Sequence, residues 1–294
     1  MRHWSSSIRS QGRRTLWRLK PPVLALGGGG ARGFAHIGVL LEIERVGLPI
    51  RHIVGTSMGA VVGAMYQALG SAAAVRDRWG EAFDNDLIPS IPARRTGSER
   101  SWLSKARELK ERMVMSFALH RASIMQDETI IKALDFLLPD GNIEDLPRPL
   151  TVVATDLDSG DPVALRSGPL RMAVQASSSI PGILPSVDIG ERALVDGGVV
   201  AEVPVLAAEG QGAPVLAVDV SADLAEREPE EIALDTIMRT QQMTTRLLRH
   251  RQLRHARWVV RPAVGHALWS DWDQFEQLVE AGAEAMRSWI DAAS

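Results

Sequence analysis

Cysteine is absent from the 294 residues, so disulfides, thiol nucleophiles and thiolate metal sites are excluded. None of the seven histidines stands at metal-ligand spacing from another, so no metal and no cofactor is expected. No apolar stretch follows Arg13-Arg14 before Lys20, which argues against a secretory or twin-arginine signal and for a cytoplasmic protein. Charge is missing from Ile53 to Val75, a run long enough for a bilayer helix. It is dominated by Gly, Ala, Ser and Thr and opens on a turn motif, so it reads as a buried helix and not a span. Acidic residues are missing from the first 20 positions, where Arg2, Arg9, Arg13, Arg14, Arg18 and Lys20 stand with Trp4 and Trp17. This segment reads as a flexible basic arm, suited either to solvent or to an anionic membrane surface.

What remains is ordinary for a globular α/β protein: 45% hydrophobic and 23% charged residues, 25 Gly, 16 Pro and a net charge of -3. Nothing in that balance calls for a nucleic-acid partner. A chain of this length can bury about three quarters of its unfolded surface in one core. We read residues 21–294 as a single domain with a helical, lid-like insertion at about 71–147.

Pro22 to Leu26 is a short apolar run with the character of a buried strand, and Gly27-Gly28-Gly29-Gly30-Ala31-Arg32-Gly33 follows it. Phe34, Ile37, Leu40, Leu41 and Val46 then recur at helical spacing up to Gly47. Unpaired N–H groups at such a loop and helix start attract an anion. Three readings compete for it. Gly28, Gly30 and Gly33 spell the G-x-G-x-x-G of a dinucleotide site, but the acid that should follow about 20 positions later is missing, since no Asp or Glu lies between Arg45 and Arg76. The amides around Gly28, Gly29 and Gly30 could instead hold the oxyanion of acyl transfer. Or the loop simply turns.

Ile53-Val54 leads into Gly55-Thr56-Ser57-Met58-Gly59, a G-x-S-x-G between a strand and a helix. That context fits a nucleophile elbow, in which Gly55 and Gly59 spare the turn a Cβ clash while Ser57 is lifted out. The small residues Gly59, Ala60, Gly63 and Ala64 then let the helix press closely on a neighbour. Beyond Ser71 come a helix at Ala72 to Phe83, a Pro/Arg-rich link at Pro89 to Gly97, and a basic amphipathic segment at about Ser101 to Leu119. The last of these suits either a lid that meets lipid headgroups or a solvated surface helix. A helix at Asp127 to Leu138 closes the insertion.

Strands are then expected at Leu150 to Thr155, Pro162 to Leu165, Ala193 to Val195, Pro214 to Val220 and Trp258 to Pro262. Helices are expected at Arg171 to Ser179, Ile232 to Arg257, and from an Asp271 N-cap to Ile290. Asp196-Gly197-Gly198 follows the third of those strands. Alone it is a turn signal, although it also sets a carboxylate at a strand end. His36 and His52 read as packing or surface groups. The order of elements implies an α/β sandwich.

The glycine loop, the Ser57 pentapeptide and Asp196-Gly197-Gly198, with Gln175 to Gly182, together resemble the patatin-like phospholipase family, most closely its compact bacterial members. The resemblance implies a three-layer α/β/α fold of patatin type. It implies an acyl hydrolase acting on phospholipids or other acyl-ester lipids without a metal; peripheral membrane contact is a separate expectation that rests on the basic arm and the Trp102 to Phe117 segment. Ser57 would be the nucleophile and Asp196 the base that takes its proton, with Gly28, Gly29, Gly30 and Arg32 around the oxyanion. A catalytically quiet regulatory or protein-binding member of the same fold is the alternative. An ordinary α/β-hydrolase is disfavoured, because its serine follows the fifth strand and Ser57 comes after the second. The chain departs from the family pattern at Gly27, where an aspartate often stands, and at Ala201-Glu202, where asparagines commonly follow the aspartate motif.

Overall fold

A computed structural model describes residues 20–88, 127–222, 233–265 and 267–293. The apolar run Val23–Leu26 forms β1, buried on both faces, and Gly30–Phe34 makes a single 3-10 turn into helix α1, Ala35–Val46. Strand β2 (His52–Thr56) leads through Ser57 into α2 (Met58–Leu69), followed by α3 (Ala72–Asp84) and α4 (Asp127–Leu137). Next come β3 (Leu150–Asp156), β4 (Pro162–Leu165), α5 (Leu170–Ser177), β5 (Val187–Ile189) and β6 (Arg192–Asp196). Two short helices, α6 (Gly198–Ala201) and α7 (Val205–Glu209), precede β7 (Val215–Val218). Helix α8 (Ala233–Leu253), β8 (Trp258–Val260) and α9 (Phe275–Ala293) complete the described chain.

The strands form one sheet in the order β5-β6-β3-β2-β1-β7-β8, with β4 paired to β3. The five from β3 to β8 are parallel, and β4, β5 and β6 join antiparallel, so the sheet is mainly parallel. Each parallel strand is an almost continuous apolar run because both faces are covered. In β1, Leu24 and Leu26 face one core with α1, α2, α3 and α9, while Val23 and Ala25 face a second with Ala201, Val203, Val205 and Leu253. That alternation is the three-layer α/β/α sandwich of the expected class.

Helix α3 buries Val75, Trp79 and Ala82, and Trp79 meets Phe34 edge to face at 4.9 Å, so the start of the expected insertion belongs to the main core. The run from Ile53 breaks into β2, α2 and α3, and no single described helix is long and apolar enough to cross a membrane. Asp271 precedes a 3-10 turn, Trp272–Gln274, but its carboxylate makes no cap bond and accepts instead from the Leu268 N–H and the Gln274 amide. The basic arm before Lys20, the Pro/Arg-rich link and the amphipathic segment 101–119 lie outside the described residues.

Candidate active site

Ser57 occupies the turn between β2 and α2 with φ 52° and ψ -124°, a conformation costly for a residue that carries a side chain. The neighbours make it affordable to the chain. A Cβ on Gly59 would lie 2.2 Å from the Leu26 carbonyl oxygen, and one on Gly55 would lie 2.5 Å from the Gly59 oxygen, so only glycine fits at either place. The Ser57 N–H donates to Ser177 Oγ at 2.9 Å, and that hydroxyl donates onward to the Val153 carbonyl at 2.6 Å. Ser177 is fully buried and clamps the strained turn to β3, a function that motif reading did not assign. Its signal was its place in the Gln175 to Gly182 stretch. The N-terminus of α2 directs the positive end of its dipole at the serine.

Asp196 ends β6, the strand antiparallel to β3. Residues Ile53 to Thr56 pair with Leu150 to Val153, and Asp196 pairs with the next β3 residue, Ala154. A Cβ on Gly197 would come within 3.1 Å of Thr56 Cγ2. β2 and β6 therefore run toward each other along β3, and their ends meet at consecutive residues. This brings Ser57 and Asp196 together from distant parts of the chain. Asp196 is held by its N–H to the Ser179 carbonyl at 2.9 Å, by the Thr155 hydroxyl on its own carbonyl at 3.0 Å, and by the Gly198 N–H on Oδ1 at 2.7 Å. Burial pushes its carboxyl up to about 6 against hydrogen bonds from Gly198 and the Ser57 side chain, with Glu202 adding to the rise. A carboxylate of that basicity suits proton abstraction near neutral pH.

The glycine loop lies over Ser57, and a Cβ on Gly28 would be 3.2 Å from that of Ser57. Gly28, expected among the oxyanion donors, has its N–H committed to the Glu202 carbonyl at 2.8 Å. Gly29 and Gly30 open the 3-10 turn, where the first amides have no carbonyl within the turn. Gly30 has φ 58°, and a Cβ there would sit 2.2 Å from the Trp269 carbonyl, which accepts the Ala31 N–H at 2.7 Å. Arg32 turns back to donate from Nε to the Gly29 carbonyl at 3.1 Å, so its described contact braces the loop. Burial lowers its pKa, Glu202 and Asp219 oppose the shift, and Arg249 adds to it. Among the described residues no three His, Asp or Glu side chains converge to hold a metal ion.

A family model described as patatin-like phospholipase matches residues 24–209. The chain belongs to the patatin-like phospholipase family. An uncharacterized NTE family protein of Mycobacterium tuberculosis is 34% identical over 209 residues, 70% of this chain and 50% of that protein. Patatin-like phospholipase domain-containing protein 6 of Mus musculus is 30% identical over 205 residues, 68% of this chain and 13% of that protein. The chain thus spans half or less of the length of these curated relatives. Among solved structures, VipD from Legionella pneumophila overlays with a TM-score of 0.45 at 14% identity, covering 93% of this chain and 67% of that one.

Membership in the patatin-like phospholipase family makes the departure at Ala201-Glu202 informative. The Ala201 carbonyl accepts the Thr56 hydroxyl at 2.9 Å, so the position serves through its backbone. Glu202 pairs with Arg249 of α8 at 2.9 Å, and Arg249 approaches Asp219 at 3.8 Å. Asp219 also meets Arg261 at 3.3 Å. The extra carboxylate beside Asp196 is thereby partnered by a buried arginine, and it does not stand alone in the site.

Proposed function

We propose that the protein is a serine acyl hydrolase of the lipase, phospholipase or lysophospholipase type, cleaving fatty acyl esters of lipids through a Ser57-Asp196 dyad. The observation that carries this reading is the meeting of β2 and β6 end to end on β3, which sets a strained, buried serine against a carboxylate of raised basicity. Ser57 Oγ attacks the ester carbonyl carbon as its proton passes to Asp196. The tetrahedral oxyanion rests on the Gly29 and Gly30 amides. Collapse breaks the ester C–O bond, and the Asp196 proton leaves with the alcohol. Water, deprotonated by Asp196, then attacks the acyl carbon; the bond to Ser57 Oγ breaks, Oγ takes the proton back from Asp196 and the fatty acid leaves, so one hard hydrolysis is split into two easier steps. No third group is required to orient the base, because three hydrogen bonds already fix Asp196.

The test compares native protein with Ser57→Ala and Asp196→Ala, reading fluorophosphonate labelling and hydrolysis of acyl esters of increasing chain length. Native protein is expected to label and to turn over long-chain esters, and each variant to lose on the order of a thousandfold or more in kcat. Equal turnover by Ser57→Ala would defeat the dyad. A native protein that neither labels nor hydrolyses would favour a quiet, binding role for the same fold.

A further inference from the structure

His36 lies in the first turn of α1 with none of its surface exposed. Its Nε2 is 2.7 Å from the Gly27 carbonyl oxygen. A carbonyl only accepts, so Nε2 carries the proton and donates. Nδ1 is buried and has no hydrogen-bond partner among the described residues. A histidine kept for packing alone would leave two buried polar atoms to be satisfied where leucine would leave none. The residue's chemistry is therefore spent on one bond, to one carbonyl.

That carbonyl belongs to the peptide unit joining Gly27 to Gly28, whose N–H end donates to the Glu202 carbonyl at 2.8 Å. The unit is gripped at both ends: by α1 through His36, and by the chain just beyond the Asp196 turn through Glu202. Its flank is pressed by α2, since a Cβ on Gly59 would lie 2.7 Å from the Gly27 oxygen. The glycine loop, the Ser57 motif and the chain just beyond the aspartate motif meet at this one plane. A peptide is rigid, so fixing the plane fixes the direction from which Gly29 and Gly30 continue.

We infer that His36 is a positioning residue that, through the Gly27 carbonyl, sets the orientation of the Gly29 and Gly30 amides that receive the oxyanion. This rests on the acyl hydrolase reading above. Burial lowers the His36 pKa to about 4, against the hydrogen bond to Gly27 and the charge of Asp219, which keeps the ring a neutral donor at working pH. Oxyanion donors act on the transition state and not on bound substrate, so a loop set askew should cost kcat and leave KM.

The experiment uses His36→Leu, which fills the space without a donor, and His36→Gln, whose amide can donate. Readouts are kcat and KM on a water-soluble p-nitrophenyl ester, affinity for a trifluoromethyl ketone that forms a tetrahedral adduct, and thermal stability. His36→Leu should lose roughly tenfold or more in kcat, with KM little changed and ketone affinity falling in parallel. His36→Gln should recover most of both. A His36→Leu protein with native kcat and ketone affinity overturns the inference while the hydrolase reading stands. So does a loss confined to KM or to melting temperature. Native protein that neither hydrolyses nor labels overturns the hydrolase reading and this inference with it. If His36→Leu does not fold, the imidazole 15N spectrum of the native protein decides: a slowly exchanging Nε2–H with neutral shifts from pH 5 to 8 supports the assignment, and an Nδ1–H tautomer overturns it.

Discussion

One side chain, the proposed base, gives the site its expected pH behaviour. Asp196 must be ionised to take a proton, and burial has raised it to about 6, so kcat/KM is expected to climb with pH and level off above a midpoint near 6. A profile flat from pH 5 to 8 would remove Asp196 from the role of base. The same shift is a stability statement. Between the ordinary value of 3.8 and about 6 the folded protein holds a proton that the unfolded chain releases, so stability falls as pH rises through this window. Above it the ionised carboxylate costs on the order of 2 to 3 kcal/mol. Asp196→Asn should then raise the melting temperature at pH 8 and lose that advantage below pH 4, while abolishing turnover. No gain at pH 8 would mean that the carboxylate carries no burial cost. Ser177→Ala should destabilise by about 1 to 3 kcal/mol, because it leaves the Ser57 N–H and the Val153 carbonyl without their buried partner. A Ser177→Ala protein with unchanged melting and turnover would show that the elbow holds itself. That serine, aspartate and glycine loop share one site was expected from three short motifs and the family they resemble, although the geometry that joins them was not legible. The roles of Ser177 and His36 were not legible either, because Ser177 acts on Ser57, 120 residues away, and His36 acts on a backbone carbonyl that no side-chain pattern marks.

Among the elements, the parallel strands were legible because burial on both faces leaves an unbroken apolar run. Strand β5 was missed, being three residues long and only half buried. Helices α6 and α7, of 4 and 5 residues, are too short for a period to show. The packing of α1 on α9 was equally hidden. A Cβ on Gly38 would fall 1.8 Å from the Val279 oxygen, and one on Gly282 would fall 1.8 Å from the Ala35 oxygen. These reciprocal glycines bring two backbones into contact, and Arg287 joins Glu42 across the seam at 3.0 Å. Gly38→Ala or Gly282→Ala is expected to cost about 3 kcal/mol by forcing the helices apart, read as a shift in denaturant midpoint. Gly80→Ala, where an added Cβ meets nothing within 4 Å, should be neutral or slightly stabilising and serves as control. Equal effects at the three positions would show that helix contact is not what requires glycine.

For the molecule as a whole, the family match ends at residue 209 while the sheet continues to β8. β1 is a central strand only because β7 pairs with it from Val23 to Leu26, and α1 is covered on one side by α9. A chain shortened to end at Glu209 would make β1 an edge and expose its apolar faces, so it is expected to aggregate and fail to label with fluorophosphonate. Soluble, labelled protein of that length would show that the later elements are accessory. The meeting of β2 and β6 on β3 could not be read from sequence, since antiparallel and parallel pairing on β3 leave no local mark. It has a consequence in time. Ser57 leans on Ser177, Thr56 on a carbonyl 145 residues away, and Gly28 on Glu202, so several supports of the site join residues far apart in the chain. Such contacts form slowly, after local helices. The candidate site is therefore expected to complete late in folding, with fluorophosphonate labelling of refolding protein lagging behind the recovery of helical signal.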